Sequence, residues 1–273
     1  MNTEDFKQDF MEGMRQRPKT LRAKYFYDEA GSNLFEKITQ LDEYYITRCD
    51  EEILRENISN FRHIFGDHIS LIEFGSGSSQ KTRHLLEGLS IDTYIPLDIS
   101  KNFLEENAKN LAHDFPHINI EPVAADYTKM IEFPFDIEKL KTKVVFFSGS
   151  TIGNFEPERA HIILSNIRKM LGGHGFLLIG VDLQKDVRVL EAAYNDKHGI
   201  TAAFNLGLLK RANRELHANF NLPFYKHVAF FNEEKSRIEM HIEALANQAG
   251  LQKVDHFLDS KKYFSNQIFR ACL

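Results

Sequence analysis

Hydrophobic residues follow different periods along the chain, and the change of period divides it into zones. In the middle zone, short apolar runs alternate with amphipathic helical stretches. Alternating strands and helices are typical of a parallel sheet covered on both faces. We therefore predict a doubly wound α/β domain. Its strands are expected at 69–74, 94–98, 118–125, 144–148 and 176–183, and its helices at about 79–90, 100–113 and 157–171.

The zone before this domain has helical periodicity. A helix is expected to start after Gly31-Ser32, and another has apolar residues at i, i+3 and i+4 from Ile53 to Phe65. Polar residues at Thr47 and Asp50 are expected to cap this second helix.

Beyond the α/β pattern, helices at about 186–196 and 201–219 and a hairpin at 226–240 predict an inserted cap. A helix and two strands are expected to follow the cap. The predicted segments are thus an N-terminal helical segment (1–66), the α/β domain (67–183), an inserted substrate cap (184–241) and C-terminal elements that complete the α/β domain (242–273).

The turn after the first predicted strand is rich in glycine, and it reads Glu73-Phe74-Gly75-Ser76-Gly77-Ser78-Ser79-Gln80-Lys81. Glycines let a ligand approach the backbone, and the following helix N-terminus offers free N–H groups. A nucleotide is one ligand that such a turn can bind. The Gly-x-Gly-x-x-Gly fingerprint fails at Gln80, however. Glu73 would repel a pyrophosphate but suits the amino group of a methionine moiety. These features favour S-adenosylmethionine over NAD.

The next two strand ends carry groups that suit a nucleoside. Asp98 lies 23 residues beyond Gly75, where an acid can accept both ribose hydroxyls. Asp126-Tyr127 can hydrogen-bond an adenine edge and stack on its face. Each feature alone is weak, since a glycine turn can be only a turn and a strand-end aspartate only a helix cap. Together, at three consecutive strand ends, they favour a cofactor site.

The fourth strand end reads Ser148-Gly149-Ser150-Thr151-Ile152-Gly153-Asn154-Phe155. Small polar residues and glycines do not build a core, so this loop can reach over the cofactor and hold a substrate. The alternative is an ordinary polar loop. Asn154 offers a donor and an acceptor, as recognition of a zwitterion requires.

Composition and charge exclude several classes of protein. With 34 Lys and Arg against 39 Asp and Glu among 273 residues, the net charge is −5, so no basic field exists to hold nucleic acid. No run approaches 18 apolar residues, which argues against a membrane span or secretion. Cys49 and Cys272 form no ligand cluster, and the 12 histidines show no metal-ligand spacing. We expect a cytoplasmic globular enzyme or binding domain without metal.

Several stretches together resemble a known family, the histidine-specific Nα-methyltransferases of ergothioneine biosynthesis. The resemblance implies a class I methyltransferase fold with a Rossmann-like sheet, S-adenosylmethionine as cofactor and an amino acid as the small-molecule substrate. We also expect a monomer. The stretches are 24–28 (KYFYD) with Gly31-Ser32, 43–48 (EYYITR), 73–83 (EFGSGSSQKTR), 149–154 (GSTIGN), 193–196 (AYND), 199–205 (GITAAFN) and 237–240 (RIEM).

The resemblance also assigns roles to matching residues. It implies that the cofactor contacts Gly75, Lys81, Asp98, Asp126 and Tyr127. The amino-acid substrate would be held by Asn154 and Tyr194 with Gly149 close by, while Tyr44 lines the pocket and Met240 packs against the substrate. Tyr27 would also line the pocket and would accept or relay the proton of the amine. Without the resemblance, each of these tyrosines is better interpreted as a half-buried core aromatic whose hydroxyl bonds to the backbone.

One departure from the family concerns the substrate ring. Members carry, between the RIEM hairpin and the last helix, a strand with an acid and a hydroxyl that hold the imidazole. Here Met240-His241 runs almost directly into residues 242–250, where that last helix is expected. Glu239 or Glu243 could substitute. The alternatives to histidine methylation are therefore N-methylation of another amino acid, such as a tryptophan derivative, or a non-catalytic relative that binds S-adenosylmethionine.

Overall fold

The computed structural model describes residues 3–244, 251–258 and 265–271. The helices are α1 (Thr3–Arg15), α2 (Glu29–Thr39), α3 (Tyr45–Glu56), α4 (Ile58–Phe65), α5 (Arg83–Gly88), α6 (Lys101–Asp114), α7 (Pro157–Leu171), α8 (Val187–Ala192) and α9 (Ile200–Leu216). The strands are β1 (Ile69–Phe74), β2 (Ile91–Asp98), β3 (Asn119–Ile120), β4 (Val123–Ala124), β5 (Lys143–Phe147), β6 (Phe176–Ile179), β7 (Tyr225–Asn232), β8 (Arg237–Ala244), β9 (Leu251–Leu258) and β10 (Ser265–Ala271).

The chain separates into two compact units. Residues 39–185 form the sheet unit, and residues 1–38 with 186–273 form the second unit. The expected N-terminal segment 1–66 is thus divided, because α3 and α4 belong with the sheet. Among the described residues, no helix has both the length and the apolar character needed to cross a membrane.

The sheet unit has the predicted doubly wound α/β architecture. Its parallel strands follow the order β3-β2-β1-β5-β6, and β4 also pairs with β2. Every residue of β1 and of β5 is buried, as expected for strands covered on both faces. The chain moves outward from β1 to β2 and then crosses to β5 on the other side. The carboxyl ends of β1 and β5 therefore flank the crevice where such sheets bind ligands.

Successive residues of each strand pack into two hydrophobic cores in turn, one on each face of the sheet. Leu71 of β1 packs with Leu85 of α5 and Leu111 of α6. Its neighbour Ile72 packs on the other face with Ile163 of α7. Both cores hold the strands rigidly, which fixes the loops at their carboxyl ends.

Two helix starts differ from the sequence prediction. Asp28 Oδ1 accepts a hydrogen bond from Gly31 N at 2.8 Å, so Asp28 caps α2 and the expected start after Gly31-Ser32 was wrong. Helix α3 begins at Tyr45, which places Asp50 inside the helix instead of at its cap. The tertiary contacts of Asp50, described below, explain its presence there.

In the second unit, α9 packs against α1 and against the antiparallel hairpin β7–β8. Strand β8 continues to Ala244, so the predicted helix over 242–250 was wrong for its first three residues, and residues 245–250 lie outside the described ranges. Strands β9 and β10 are present as expected, but they pair with each other in a separate two-stranded sheet.

Candidate functional site

The glycine loop, residues 75–82, leaves β1 at the crevice. Its start is fixed because Gly75 N and Ser76 N both donate to Leu97 O of β2, at 2.9 and 3.0 Å. Gly75 has φ +74°, a left-handed conformation that glycine adopts without strain. A methyl group on Gly75 would lie 3.7 Å from the Tyr127 ring and hydroxyl. The structure thus brings together Gly75 and Tyr127, two of the predicted cofactor residues.

Glu73 faces the interior beneath this loop. Its side chain is only 1% exposed, and it accepts hydrogen bonds from Thr82 Oγ1 at 2.6 Å and from the Tyr94 hydroxyl. Tyr94 OH also lies 3.0 Å from Ser79 Oγ in the loop. Burial raises the pKa of Glu73 to about 7, against the opposing effect of these hydrogen bonds. The expectation that Glu73 offers a carboxylate to a methionine amino group was wrong, because this carboxylate supports the loop from below.

Asp98 ends β2 beside the glycine loop. Its two carboxylate oxygens accept Gly77 N at 3.0 Å and Ser100 N at 2.8 Å. Burial raises the pKa of Asp98, and the backbone N–H groups oppose that shift. A carboxylate has about four lone-pair sites, and the backbone N–H groups of Gly77, Ile99 and Ser100 use three of them, which leaves one for a ribose hydroxyl.

Replacing Asp98 with alanine should weaken binding of S-adenosylmethionine by about 1.5–3 kcal/mol, the usual contribution of hydrogen bonds to a charged group. Isothermal calorimetry on the folded variant checks this. Asp92→Ala is the matched control, since Asp92 lies on the same strand but bonds to His68 and Lys141 at the surface. An unchanged affinity in Asp98→Ala would remove this residue from the cofactor site.

Asp126 and Tyr127 follow β4. Asp126 Oδ1 accepts Thr128 N at 3.0 Å and Thr128 Oγ1 at 2.5 Å, which makes a local turn. The Tyr127 ring lies 5.5 Å from Phe74 and 5.6 Å from Phe147, measured between centroids. The turn and these ring contacts fix both residues after β4, at the end of the segment that the sequence predicted as the third strand.

The β5–α7 loop, residues 148–156, leaves the other side of the crevice. Gly149 and Ser150 both have left-handed backbones, with φ of +65° and +57°. Thr151–Asn154 form a 3₁₀ turn, and the Asn154 side chain is exposed. A methyl group on Gly149 would lie 3.1 Å from Lys81 Nζ. Lys81, expected at the cofactor, and Gly149, expected at the substrate, are therefore neighbours.

The EYYITR stretch holds the segment that leads into α3. Arg48 donates to Leu41 O at 2.7 Å and to Asp42 O at 2.6 Å, which ties down the backbone before Tyr44. Tyr44 itself is 7% exposed. The sheet unit thus orders Tyr44 through an arginine that the sequence analysis left without a role.

Tyr27 lies in the second unit, in an aromatic cluster. Its ring meets Phe35 and Phe204 edge to face, with centroids 5.5 and 5.6 Å apart. The side chain is half-buried. Electron-rich ring faces stabilise nearby cations, which suits a site where an amine gains positive charge.

Tyr194 is linked to the strand that carries Met240 by His227 and Asn205, two residues to which the sequence analysis assigned no role. His227 Nε2 lies 2.8 Å from Tyr194 O, and a carbonyl only accepts, so Nε2 carries the proton. Asn205 of α9 then donates to His227 Nδ1 at 2.8 Å and to His241 O at 2.9 Å. Met240 lies on the hairpin face that His227 shares, because it pairs with Ala229, two residues along β7.

Glu239 and Glu243 lie on the opposite hairpin face. Successive side chains of a strand point to opposite faces. Glu239 and Glu243 occupy odd-numbered positions of β8 and Met240 an even-numbered one, so the two acids lie on the face opposite Met240. Glu239 bonds to Arg237 Nε at 3.0 Å and to His241 Nε2 at 3.2 Å. Lys226 pairs with Glu243 at 3.1 Å. Neither acid shares a face with Met240, so the hypothesis that one of them binds the imidazole loses support.

The residues missed by sequence reasoning are those that act through other side chains. Asp50 had been interpreted as a cap, and Asn205 lies in a quoted stretch without an assigned function. A buried asparagine in the middle of a helix is a signal that could have been used, since such a group needs partners.

Within the described ranges, no three His, Cys, Asp or Glu side chains gather as a metal site would require.

Comparison with known proteins identifies the family. Residues 6–262 match the model of the S-adenosylmethionine-dependent histidine-specific methyltransferases. The chain is 38% identical to histidine N-alpha-methyltransferase of Mycolicibacterium smegmatis, over 90% of this chain and 76% of that protein. It is 36% identical to the enzyme of that name from Mycobacterium tuberculosis, over 89% and 75%. A third relative, ergothioneine biosynthesis protein 1 of Neurospora crassa, is 35% identical over 72% of this chain and 23% of its own.

These matches agree with the architecture. The doubly wound parallel sheet is the class I methyltransferase fold that the resemblance implied, and its strand-end loops carry the glycine turn and Asp98. With a family match that spans nearly the whole chain, this protein belongs to the S-adenosylmethionine-dependent histidine-specific methyltransferases.

Proposed function

We propose that the chain transfers methyl groups from S-adenosylmethionine to the α-amino group of L-histidine, successively up to N,N,N-trimethylhistidine, in ergothioneine biosynthesis. The observation that carries this proposal is the 38% identity to a histidine N-alpha-methyltransferase over 90% of the chain. The cytoplasmic location, the monomeric state and the lack of nucleic-acid or membrane partners expected from the sequence are part of the proposal.

The sheet unit offers groups that fit S-adenosylmethionine. Gly75 has a left-handed backbone and no side chain beside Tyr127, and the Asp98 carboxylate keeps a lone-pair site. Asp98 would hold the ribose, Asp126 and Tyr127 the adenine, and Lys81 the carboxylate of the methionine moiety. The cofactor supplies an activated methyl group on a sulfonium, so the protein's task is alignment and exclusion of water. Well-oriented groups can contribute about 7–11 kcal/mol to such a reaction.

The amine must be neutral to accept a methyl group. An α-amino group has a pKa near 8 in model peptides, so a usable neutral fraction exists at neutral pH without a strong base. We assign Tyr27 to accepting or relaying the proton, and Asn154 and Tyr194 to binding the amino-acid carboxylate and amine, with Gly149 close to the substrate. We assign Tyr44 to contacts around the amine and ring, and Met240 to packing against the substrate. The rings of Phe35 and Phe204 around Tyr27 tolerate the growing cation.

The acceptor nitrogen can be tested with a pair of matched compounds. Imidazolepropionic acid has the ring and carboxylate of histidine but lacks the α-amine. Release of S-adenosylhomocysteine should be rapid with L-histidine and absent with imidazolepropionic acid. Equal turnover of the two compounds would show that a ring nitrogen is the acceptor and would refute the proposal.

Asn154→Ala should raise the KM for histidine strongly and barely change the affinity for S-adenosylmethionine. The substitution leaves a charged group of the substrate unpaired, which costs about 1.5–3 kcal/mol. Steady-state kinetics and cofactor calorimetry separate the two effects. The control is Asn119→Ala, because Asn119 is also exposed in the sheet unit and its side chain donates to Glu121 at the end of β3. A parallel loss of both affinities would mean that Asn154 shapes the loop instead of binding the substrate.

A further inference from the structure

We propose that Asp50 is a positioning residue that holds Lys81 of the glycine loop and Gly149 of the β5–α7 loop together. One carboxylate on α3 would then set the affinity for the cofactor and for the amino acid. This inference rests on the proposed function for the identity of the two ligands, but not for the contacts that support it.

The contacts converge on one oxygen. Asp50 Oδ2 accepts Lys81 Nζ at 2.8 Å and Gly149 N at 3.0 Å. The lysine side chain is 20% exposed and the aspartate side chain 13% exposed, so this ion pair is largely shielded from water. On the other side of the carboxylate, a methyl group on Gly180 would lie 3.4 Å from Oδ1. Asp50 therefore lies where the ends of β1, β5 and β6 come together.

Both partners need an external restraint. Lys81 has a long flexible side chain, and an ion pair that is mostly shielded selects one orientation of it. Gly149 and Ser150 occupy consecutive left-handed conformations, which a serine adopts only at a cost. The hydrogen bond from Gly149 N to Asp50 fixes the start of this unusual turn and with it the direction of the loop toward Asn154.

Helix α3 also reaches the same loop by a second route that bypasses Lys81. Tyr45 OH donates to Asp182 Oδ2 at 2.5 Å, and Asp182 N donates to Ser150 Oγ at 2.9 Å. Tyr45 and Asp50 thus restrain adjacent residues of one loop, while only Asp50 also contacts the glycine loop. Tyr45→Phe is therefore a matched control for the loop alone.

The test compares Asp50→Asn, Tyr45→Phe and Lys81→Met with the unaltered chain. Calorimetry gives the Kd of S-adenosylhomocysteine, and kinetics give the KM for histidine. Asp50→Asn keeps the shape but loses the charge, and we expect it to raise both constants by about tenfold. Tyr45→Phe should raise only the KM. The double variant Asp50→Asn/Lys81→Met should have the same Kd as Lys81→Met alone, because the effects of substitutions at two residues that act as one unit do not add.

Two results would overturn the proposal: a Kd and KM in Asp50→Asn within twofold of the unaltered chain, or additive effects of Asp50→Asn and Lys81→Met on the Kd. If Asp50 and Tyr45 had only a structural role, both variants would lower the melting temperature. Tyr45→Phe would then not raise the KM while leaving the Kd unchanged. If Asp50→Asn does not fold, Asp50→Glu takes its place, since the longer side chain keeps the charge but moves it away from both Lys81 Nζ and Gly149 N, and the proposal again requires Kd and KM to rise together. The Kd comparison needs no turnover, so lack of histidine methylation by the unaltered chain would contradict the proposed function only.

Discussion

L-Histidine is expected to be preferred over L-phenylalanine and L-tryptophan by far less than about 10⁴-fold, the discrimination that a site built to hydrogen-bond a substrate can reach. Such discrimination arises because an analogue without the ring N–H groups leaves buried partners unpaired. The strand that carries those partners in the family is expected to be missing after Met240. Glu239 and Glu243 do not share the hairpin face of Met240, so the remaining selection would depend on ring size and shape.

The measurement is kcat/KM for the three amino acids under identical conditions. We expect detectable turnover of phenylalanine and tryptophan alongside histidine. A preference for histidine close to 10⁴-fold would show that another group binds the imidazole. In that case Glu239→Gln and Glu243→Gln would be the first variants to compare, and a loss of selectivity in either would identify the group.

The stability of the sheet unit is expected to fall as the pH rises from about 4.5 to about 7, because of Glu73. Burial raises the pKa of this carboxyl from 4.5 to about 7. Between these pH values the folded chain holds a proton that the unfolded chain has released. The free energy of unfolding therefore falls as the pH rises and becomes constant above the folded-state pKa. At 1.36 kcal/mol per pKa unit, the total is about 3 kcal/mol.

Glu73→Gln isolates this contribution, since glutamine keeps the size and some hydrogen bonds but does not ionise. Relative to the unaltered chain, the variant should gain about 3 kcal/mol in free energy of unfolding between pH 5 and pH 8. Urea unfolding followed by circular dichroism measures the difference at each pH. Glu87→Gln, an exposed acid on the neighbouring helix, should show no such change. A constant difference between Glu73→Gln and the unaltered chain would mean that Glu73 is ionised at both pH values.

The sheet was predictable because its strands are buried on both faces. A continuous apolar run ends where the chain leaves the core, so the pattern placed β1 at 69–74, where the structure has Ile69–Phe74. The same logic located Asp98 and Asp126 at strand ends. It should also have shown that Glu73, inside a strand covered on both faces, is buried and therefore unavailable to a ligand.

Other parts of the site depend on contacts that local patterns do not encode. Asp50 meets Lys81 across 31 positions and Gly149 across 99, and nothing in its local sequence distinguishes it from a helix cap. The stretch from Ile242 to Ala244 includes Glu243 and Ala244, which favour helices, yet it pairs with Tyr225–His227 in the hairpin. Tertiary pairing overrides such weak local preferences.

The most direct test of histidine methylation is tandem mass spectrometry of L-histidine incubated with the protein and S-adenosylmethionine that carries a deuterated methyl group. Methylation of the α-amine predicts deuterated methyl groups on the α-nitrogen of histidine, with mono-, di- and trimethylated forms appearing in sequence. Label on an imidazole nitrogen, or no labelled histidine from a folded protein that binds S-adenosylhomocysteine, would contradict it.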